Sequence, residues 1–222
     1  MGICTLMTEN LFKLEESQAS GIFAGLEYPW EALPRIASYL LLLSETLSDE
    51  YRQIAEKVWV GKGTSIEKSA LVKGPAIIGR NCEIRHGAYL RGNVIIGDGV
   101  VVGNSTEIKN SILFNKSQVP HFNYVGDSIL GFKVHLGAGV ILSNLKSTGG
   151  TITVKTTEGD IQTGLRKFGA LIGDNSEVGC NSVLNPGTIV GRESIIYPLT
   201  FARGYVPERH ILKNSGELVK IL

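Results

Sequence analysis

The sequence has no excess charge of either sign, few aromatics, no paired cysteines and no long apolar run. Each lack excludes something. Lys and Arg number 22 and Asp and Glu 21, so no broad nucleic-acid-binding face is expected, though a local cationic pocket stays open. The three cysteines, Cys4, Cys82 and Cys180, are odd in number and far apart. They suggest neither a zinc knuckle nor a disulfide framework. No two histidines have the spacing of a zinc-ligand pair, so no metal is expected. The apolar run Tyr39–Leu43 is far too short to span a bilayer. Met1–Asn10 lacks the basic region and apolar stretch of a signal peptide. A reduced, cytoplasmic protein that meets no membrane is therefore expected. Neither a G-x-x-x-x-G-K-[ST] phosphate loop nor a G-x-S-x-G elbow occurs. What is abundant is glycine, 27 of 222 residues. Many tight corners and little bulky filling follow.

Those glycines are periodic. Counting by six from Val60 gives Ile66, Val72, Ile78, Ile84, Leu90, Ile96, Val102 and Ile108, every one aliphatic, and Phe114 extends the series. A second series runs Ile172, Val178, Leu184, Val190, Ile196. Between them Leu130, Leu136 and Leu142 keep the period but are displaced in phase by four, which reads as an insertion between Phe114 and Leu130. A helix needs a period of 3.6 and a half-buried strand a period of 2. Six, with glycine often beside the aliphatic, fits short strands joined by tight corners, three to a coil of 18 residues. Equivalent aliphatics then stack into a continuous inner column. This predicts a mainly β protein, a parallel β-helix of hexapeptide repeats over residues 56–205.

The flanks differ. Trp30, Leu33, Ile36, Leu40, Leu43 and Leu47 recur at helical spacing behind Pro29. Residues 1–55 are read as an N-terminal segment, with one or two helices over 29–55 that pack on the first coil or on a neighbouring chain. Residues 146–166 break the period, and two β-like pieces around Thr-Thr-Glu-Gly-Asp predict a projecting hairpin. Residues 206–222 are read as an irregular tail.

Eighteen-residue coils stack Lys73, Arg91 and Lys109 in one ladder. Like charges about 4.8 Å apart repel unless something intervenes. The ladder is either a cationic corner fanned into water or an anion site suited to a phosphate. His121 falls in the presumed insertion, read as a loop. Histidine exchanges protons near neutral pH, although a lone loop histidine is more often just surface.

From Tyr89 to Val190 the chain resembles the acetyltransferase domain of bifunctional N-acetylglucosamine-1-phosphate uridyltransferase/glucosamine-1-phosphate acetyltransferase, a hexapeptide-repeat transferase. The carrying residues are Leu90-Arg91-Gly92, Gly103-Asn104-Ser105-Thr106-Glu107-Ile108-Lys109, His121-Phe122-Asn123-Tyr124-Val125-Gly126-Asp127, Leu136-Gly137-Ala138-Gly139 and Asn144. The resemblance implies a left-handed coil, a homotrimer, and acetyl transfer from acetyl-CoA to the amine of an amino-sugar phosphate or sugar nucleotide, as in UDP-N-acetylglucosamine biosynthesis. It implies that His121 is the general base, with Asn144 beside the reacting groups. Arg91 and Lys109 would hold the sugar phosphate or adjacent oxygens, Tyr124 would contact the substrate, Lys167 would belong to the same site, and Cys180 and Pro198 would line the acetyl-CoA site. His135, on the acceptor side, stands where the family has asparagine, and Lys146 where an aspartate is usual. The nucleotidyltransferase domain is not represented, so no uridyl transfer is expected. The alternative is a non-catalytic sugar-phosphate-binding or scaffold β-helix, like the C-terminal parts of sugar-1-phosphate nucleotidyltransferases.

Overall fold

The computed structural model describes residues 6–156 and 159–221. Strands of two to four residues follow one another around a left-handed parallel β-helix with three flat faces. Face A carries the strands Val58–Gly61, Ala76–Ile78, Val94–Ile96, Ser111–Leu113, Ile129–Leu130, Ala170–Ile172, Thr188–Val190 and Tyr205–Val206. Face B includes Val101–Asn104, Gln118–His121, His135–Leu136, Glu177–Val178 and Ile195–Ile196. Face C includes Tyr89–Leu90, Glu107–Lys109, Tyr124–Gly126, Ile141–Leu142, Val183–Leu184 and Phe201–Ala202. Among the described residues no helix is long and apolar enough to cross a membrane.

The six-residue aliphatics fill the interior as the period requires. From Ile78 to Ile196 they form one buried column. The phase displacement has a different cause from the one expected. Ile77 pairs with Ile95, eighteen residues on, but Ile95 pairs with Ile112 and Ile112 with Ile129, each seventeen on. Nothing is inserted between Phe114 and Leu130. Two of the hexapeptides have five residues, so the inward positions are Leu113, Val119 and Val125, and two missing residues shift a six-residue phase by four. Phe114 consequently faces outward, its ring 5.2 Å from that of Phe12. His121 lies at the end of a strand rather than in a loop.

The corners are built from residues in the left-handed backbone region. Gly139 at φ +73 is the ordinary solution, whereas Phe122 at φ +52 pays a side-chain penalty there. Buried hydroxyls satisfy carbonyls one coil on, as when Ser117 Oγ donates to the Gly131 carbonyl at 2.8 Å.

Two further expectations are corrected. Residues 29–35 form a 3₁₀ helix, Ile36–Ser44 an α-helix, and Tyr51–Ala55 a strand antiparallel to Val58–Gly61. Pro34 lacks the N–H that an α-helical turn would use there. The strand Tyr51–Ala55 pairs with the first coil. The residues before it lie along the outside of face A, where Leu11, Phe12, Phe23, Trp30, Leu33 and Leu40 bury Ile77, Ile95, Ile112, Phe114, Ile129 and Leu171. The apolar run is split, with Leu40 buried and Leu42 63% exposed. Buried Asp174 clamps the segment by accepting the Lys13 N–H at 2.7 Å and the Phe132 N–H at 2.8 Å. The C-terminal residues are not irregular. His210–Leu212 continues face B, and Leu218–Lys220 folds back antiparallel on it. Residues 153–156 and 159–162 pair antiparallel as a hairpin beside the coil.

Candidate active site

One coil places its chemistry along face C and the two corners that bound it. His121 ends a face B strand, the chain turns at Phe122, and Tyr124 points outward from face C between Glu107 and Ile141. The turn after Gly126 then brings Asp127 inward, where it is 5% exposed. Its Oδ2 accepts from Lys109 Nζ at 3.1 Å and from Asn144 Nδ2, and its Oδ1 accepts from Asn110 Nδ2 at 2.9 Å. Arg91 lies one coil from Lys109, and its Nη1 donates to Glu107 at 2.6 Å. Lys73, a coil further, has its ammonium 5.4 Å from the Tyr89 ring centre. The expected cationic ladder therefore exists, and it is relieved by Glu107, Asp127 and the Tyr89 ring rather than left bare.

The opposite corner carries His121. Its backbone N–H donates to Asn123 Oδ1 at 3.1 Å, and Asn123 Nδ2 donates to the Gly137 carbonyl at 2.7 Å. Asn123 is 2% exposed and fixes the corner from which the exposed imidazole projects. Below it the backbone stacks in register. The carbonyls of His121, Ala138 and Cys180 accept from Gly139, Asn181 and Leu199, so His121, Ala138, Cys180 and Pro198 form one ladder. Cys180 and Pro198 are both exposed on it.

Face C thus joins His121, Tyr124, Arg91, Lys109 and Asn144, with Cys180 and Pro198 along one edge. Lys167 is exposed beside the other edge, where the next residue, Phe168, donates its N–H to the Asn144 carbonyl at 3.0 Å. His135 is not part of this group. It points from face B, flanked in register by Gln118 and Glu177. Lys146 donates to the Thr151 carbonyl at 2.7 Å, which ties down the base of the hairpin.

Asp127 and Asn123 are the residues whose roles the sequence did not reveal. The usable signal was positional. Asn123 occupies the corner place held by Thr106, Ser182 and Thr200 in other coils, and its longer side chain reaches back to the histidine.

A family model described as the GMPPB C-terminal domain matches residues 72–165. The bifunctional protein GlmU of Methanococcus maripaludis (strain S2) is 32% identical over 213 residues, 93% of this chain and 51% of that protein. An uncharacterized acetyltransferase of Escherichia coli K12, YaiX, is 33% identical over 155 residues, 70% of this chain and 67% of that protein. The chain belongs to the GlmU-related hexapeptide acetyltransferase family. Among solved structures, the Arabidopsis UDP-N-acetylglucosamine acyltransferase has the same fold, with a TM-score of 0.51 at 13% identity over 75% of this chain and 65% of that one. This family member spans about half or less of the length of the GlmU proteins it matches, from 23% to 51%.

Proposed function

We propose that this chain is an N-acetyltransferase that moves the acetyl group of acetyl-CoA to the amine of an amino-sugar phosphate or sugar nucleotide, acting as a homotrimer. The observation that carries the reading is face C. It offers a solvent-facing histidine at one edge and Arg91, Lys109 and Asn144 at the other, with Tyr124 between them.

An amine attacks a thioester only through its free lone pair. His121 takes the proton released as the C–N bond forms. The C–S bond then breaks and the same proton passes to the departing CoA sulfur, so no enzyme-bound acyl group is needed. Asn144 donates near the carbonyl carbon that becomes tetrahedral. Arg91 and Lys109 orient the acceptor through its phosphate. Cys180 and Pro198, stacked beneath His121, line the path of the donor's thioester arm. The N-terminal segment already covers face A, so trimer contacts fall to faces B and C. That is how Lys167 of one subunit would reach the His121 corner of another.

The non-catalytic reading keeps one supporting observation. Lys109 spends its ammonium on Asp127, and Arg91 is paired with Glu107, so each cation is partly neutralised before any phosphate arrives. The deciding experiment is release of CoA thiol from acetyl-CoA with glucosamine-1-phosphate as acceptor, for wild type and His121→Ala. Acceptor-dependent release that falls at least 100-fold in the variant supports the transferase. Equal background in both, repeated across other amino-sugar phosphates, supports the scaffold.

A further inference from the structure

The hairpin strands 153–156 and 159–162 do not stand free. They lean over the lower coils and line an open cleft of about 610 Å³ with Ser143, Asn185 and Arg203. That is the size of a small-molecule site. Three cations line it, Lys146, Lys155 and Arg203, against one acid, Asp160. Lys146 is held by the Thr151 carbonyl, and Lys155 lies 3.5 Å from Asp160. The Arg203 guanidinium has neither a hydrogen bond nor an ion pair among the described residues.

A second cavity of about 400 Å³ shares Lys155, Arg203 and Gly204 with the first. Its other walls are Thr156, Tyr205, Pro207 and Leu218, mostly an aromatic and apolar surface. A cationic throat thus separates a polar chamber from an apolar one. The register places this throat relative to face C. Lys109, Gly126, Ser143, Asn185 and Arg203 follow equivalent strand residues on successive coils. Arg203 is therefore four rungs of about 4.8 Å each below Lys109. The intervening rungs carry Gly126, Ser143 and Asn185, with the Tyr124 ring and the Asn144 amide lying over Gly126. The throat lies on the Asn144 side of face C, opposite the corner of His121, Cys180 and Pro198.

We propose that these joined cavities bind a nucleoside diphosphate, with the phosphates at Lys155 and Arg203 and the planar base against Tyr205, Pro207 and Leu218. A guanidinium fork suits phosphate oxygens, and a base needs an apolar or aromatic wall. The inference stands apart from the acetyl-transfer reading of face C, which places its acceptor's phosphate at Arg91 and Lys109, four or more rungs away. CoA also carries a nucleoside diphosphate, so the test must separate the two sources.

Calorimetric titration of the full chain with UDP, ADP, orthophosphate and CoA makes that separation. UDP or ADP should bind at least tenfold more tightly than orthophosphate. Arg203→Ala and Lys155→Ala should each weaken that binding about 10- to 100-fold, Arg203→Lys should recover part of it, and Asp160→Asn should tighten it severalfold. Thermal unfolding checks that each variant is folded. Nucleotide binding no tighter than orthophosphate, or unchanged in Arg203→Ala, overturns the site. CoA displacing UDP with the same dependence on Arg203 overturns the assignment to a free nucleoside diphosphate and gives the site to the acyl donor's own nucleotide. None of these readings needs turnover. An absence of acceptor-dependent thiol release would count against acetyl transfer alone.

Discussion

Removing the Asp127 carboxylate should cost more than any other polar change on face C. The carboxylate is 7% exposed, its partner Lys109 is 20% exposed, and Asn110 and Asn144 both donate to it. Asp127→Ala leaves an ammonium largely out of water with no counter-charge and two amides without an acceptor. Breaking a buried pair from one side costs about 3–5 kcal/mol. For a chain of this size that lowers the melting temperature by roughly 6–20 °C. Asp127→Asn keeps the shape and loses the charge, at a cost of about 1–3 kcal/mol. Lys109→Ala should cost less than Asp127→Ala, because Asn110 and Asn144 still satisfy the carboxylate. In the double variant the two losses should fall short of additive, with a coupling of about 0.5–3 kcal/mol. The assay is denaturant unfolding of all four proteins. An Asp127→Ala protein within about 0.5 kcal/mol of wild type, or strictly additive losses, would refute the reasoning.

Two other outcomes follow from titratable groups. Cys180 is exposed, whereas Cys82 is buried and its thiol is pushed up by that burial. Iodoacetamide at pH 8 with peptide mapping should modify Cys180 and spare Cys82 until the protein unfolds, and CoA should shield Cys180 if it lines the donor path. Burial pushes the Tyr51 phenol up to about 12, while its hydroxyl donates to Gln18 Oε1 at 3.0 Å. The folded state therefore favours the neutral phenol. Its contribution is intact below about pH 10 and is lost as pH rises through about 12, worth at most about 2.7 kcal/mol and less after partial exposure is allowed for. Tyr51→Phe should flatten the fall in stability between pH 10 and 12. Identical pH profiles for the two proteins would count against it.

Much of the fold was legible because the hexapeptide period is a local rule. Each coil repeats the same demand for an inward aliphatic and a tight corner, and no long-range information is needed to read it. The same rule explains where the reading went wrong. Phe114 fits the six-residue count only if every corner has six residues. Two shorter corners move the inward place to Leu113 and turn Phe114 toward Phe12. A further signal lay unread in the doublets Ile77-Ile78, Ile95-Ile96, Ile112-Leu113, Ile129-Leu130, Leu171-Ile172 and Ile189-Val190. Only face A carries such pairs throughout, because only face A is buried on both sides. An outward aliphatic beside every inward one announces a cover, but the helical spacing of residues 30–47 does not say which surface that cover meets.

The site divides along similar lines. The segment from His121 to Asp127 and the ladder of Arg91 and Lys109 were legible from residue types and spacing. By itself the sequence determined a parallel β-helix and its hairpin, since these follow from a short period and from the stretch that breaks it. Only the tertiary structure decided that Asp127 holds Lys109 and Asn144, that Asn123 fixes the histidine corner, and that His135 belongs to another face. Only it decided that the hairpin leans over a cationic cleft at Arg203. Those contacts join residues from different coils, and two five-residue corners are enough to change which side chain meets which.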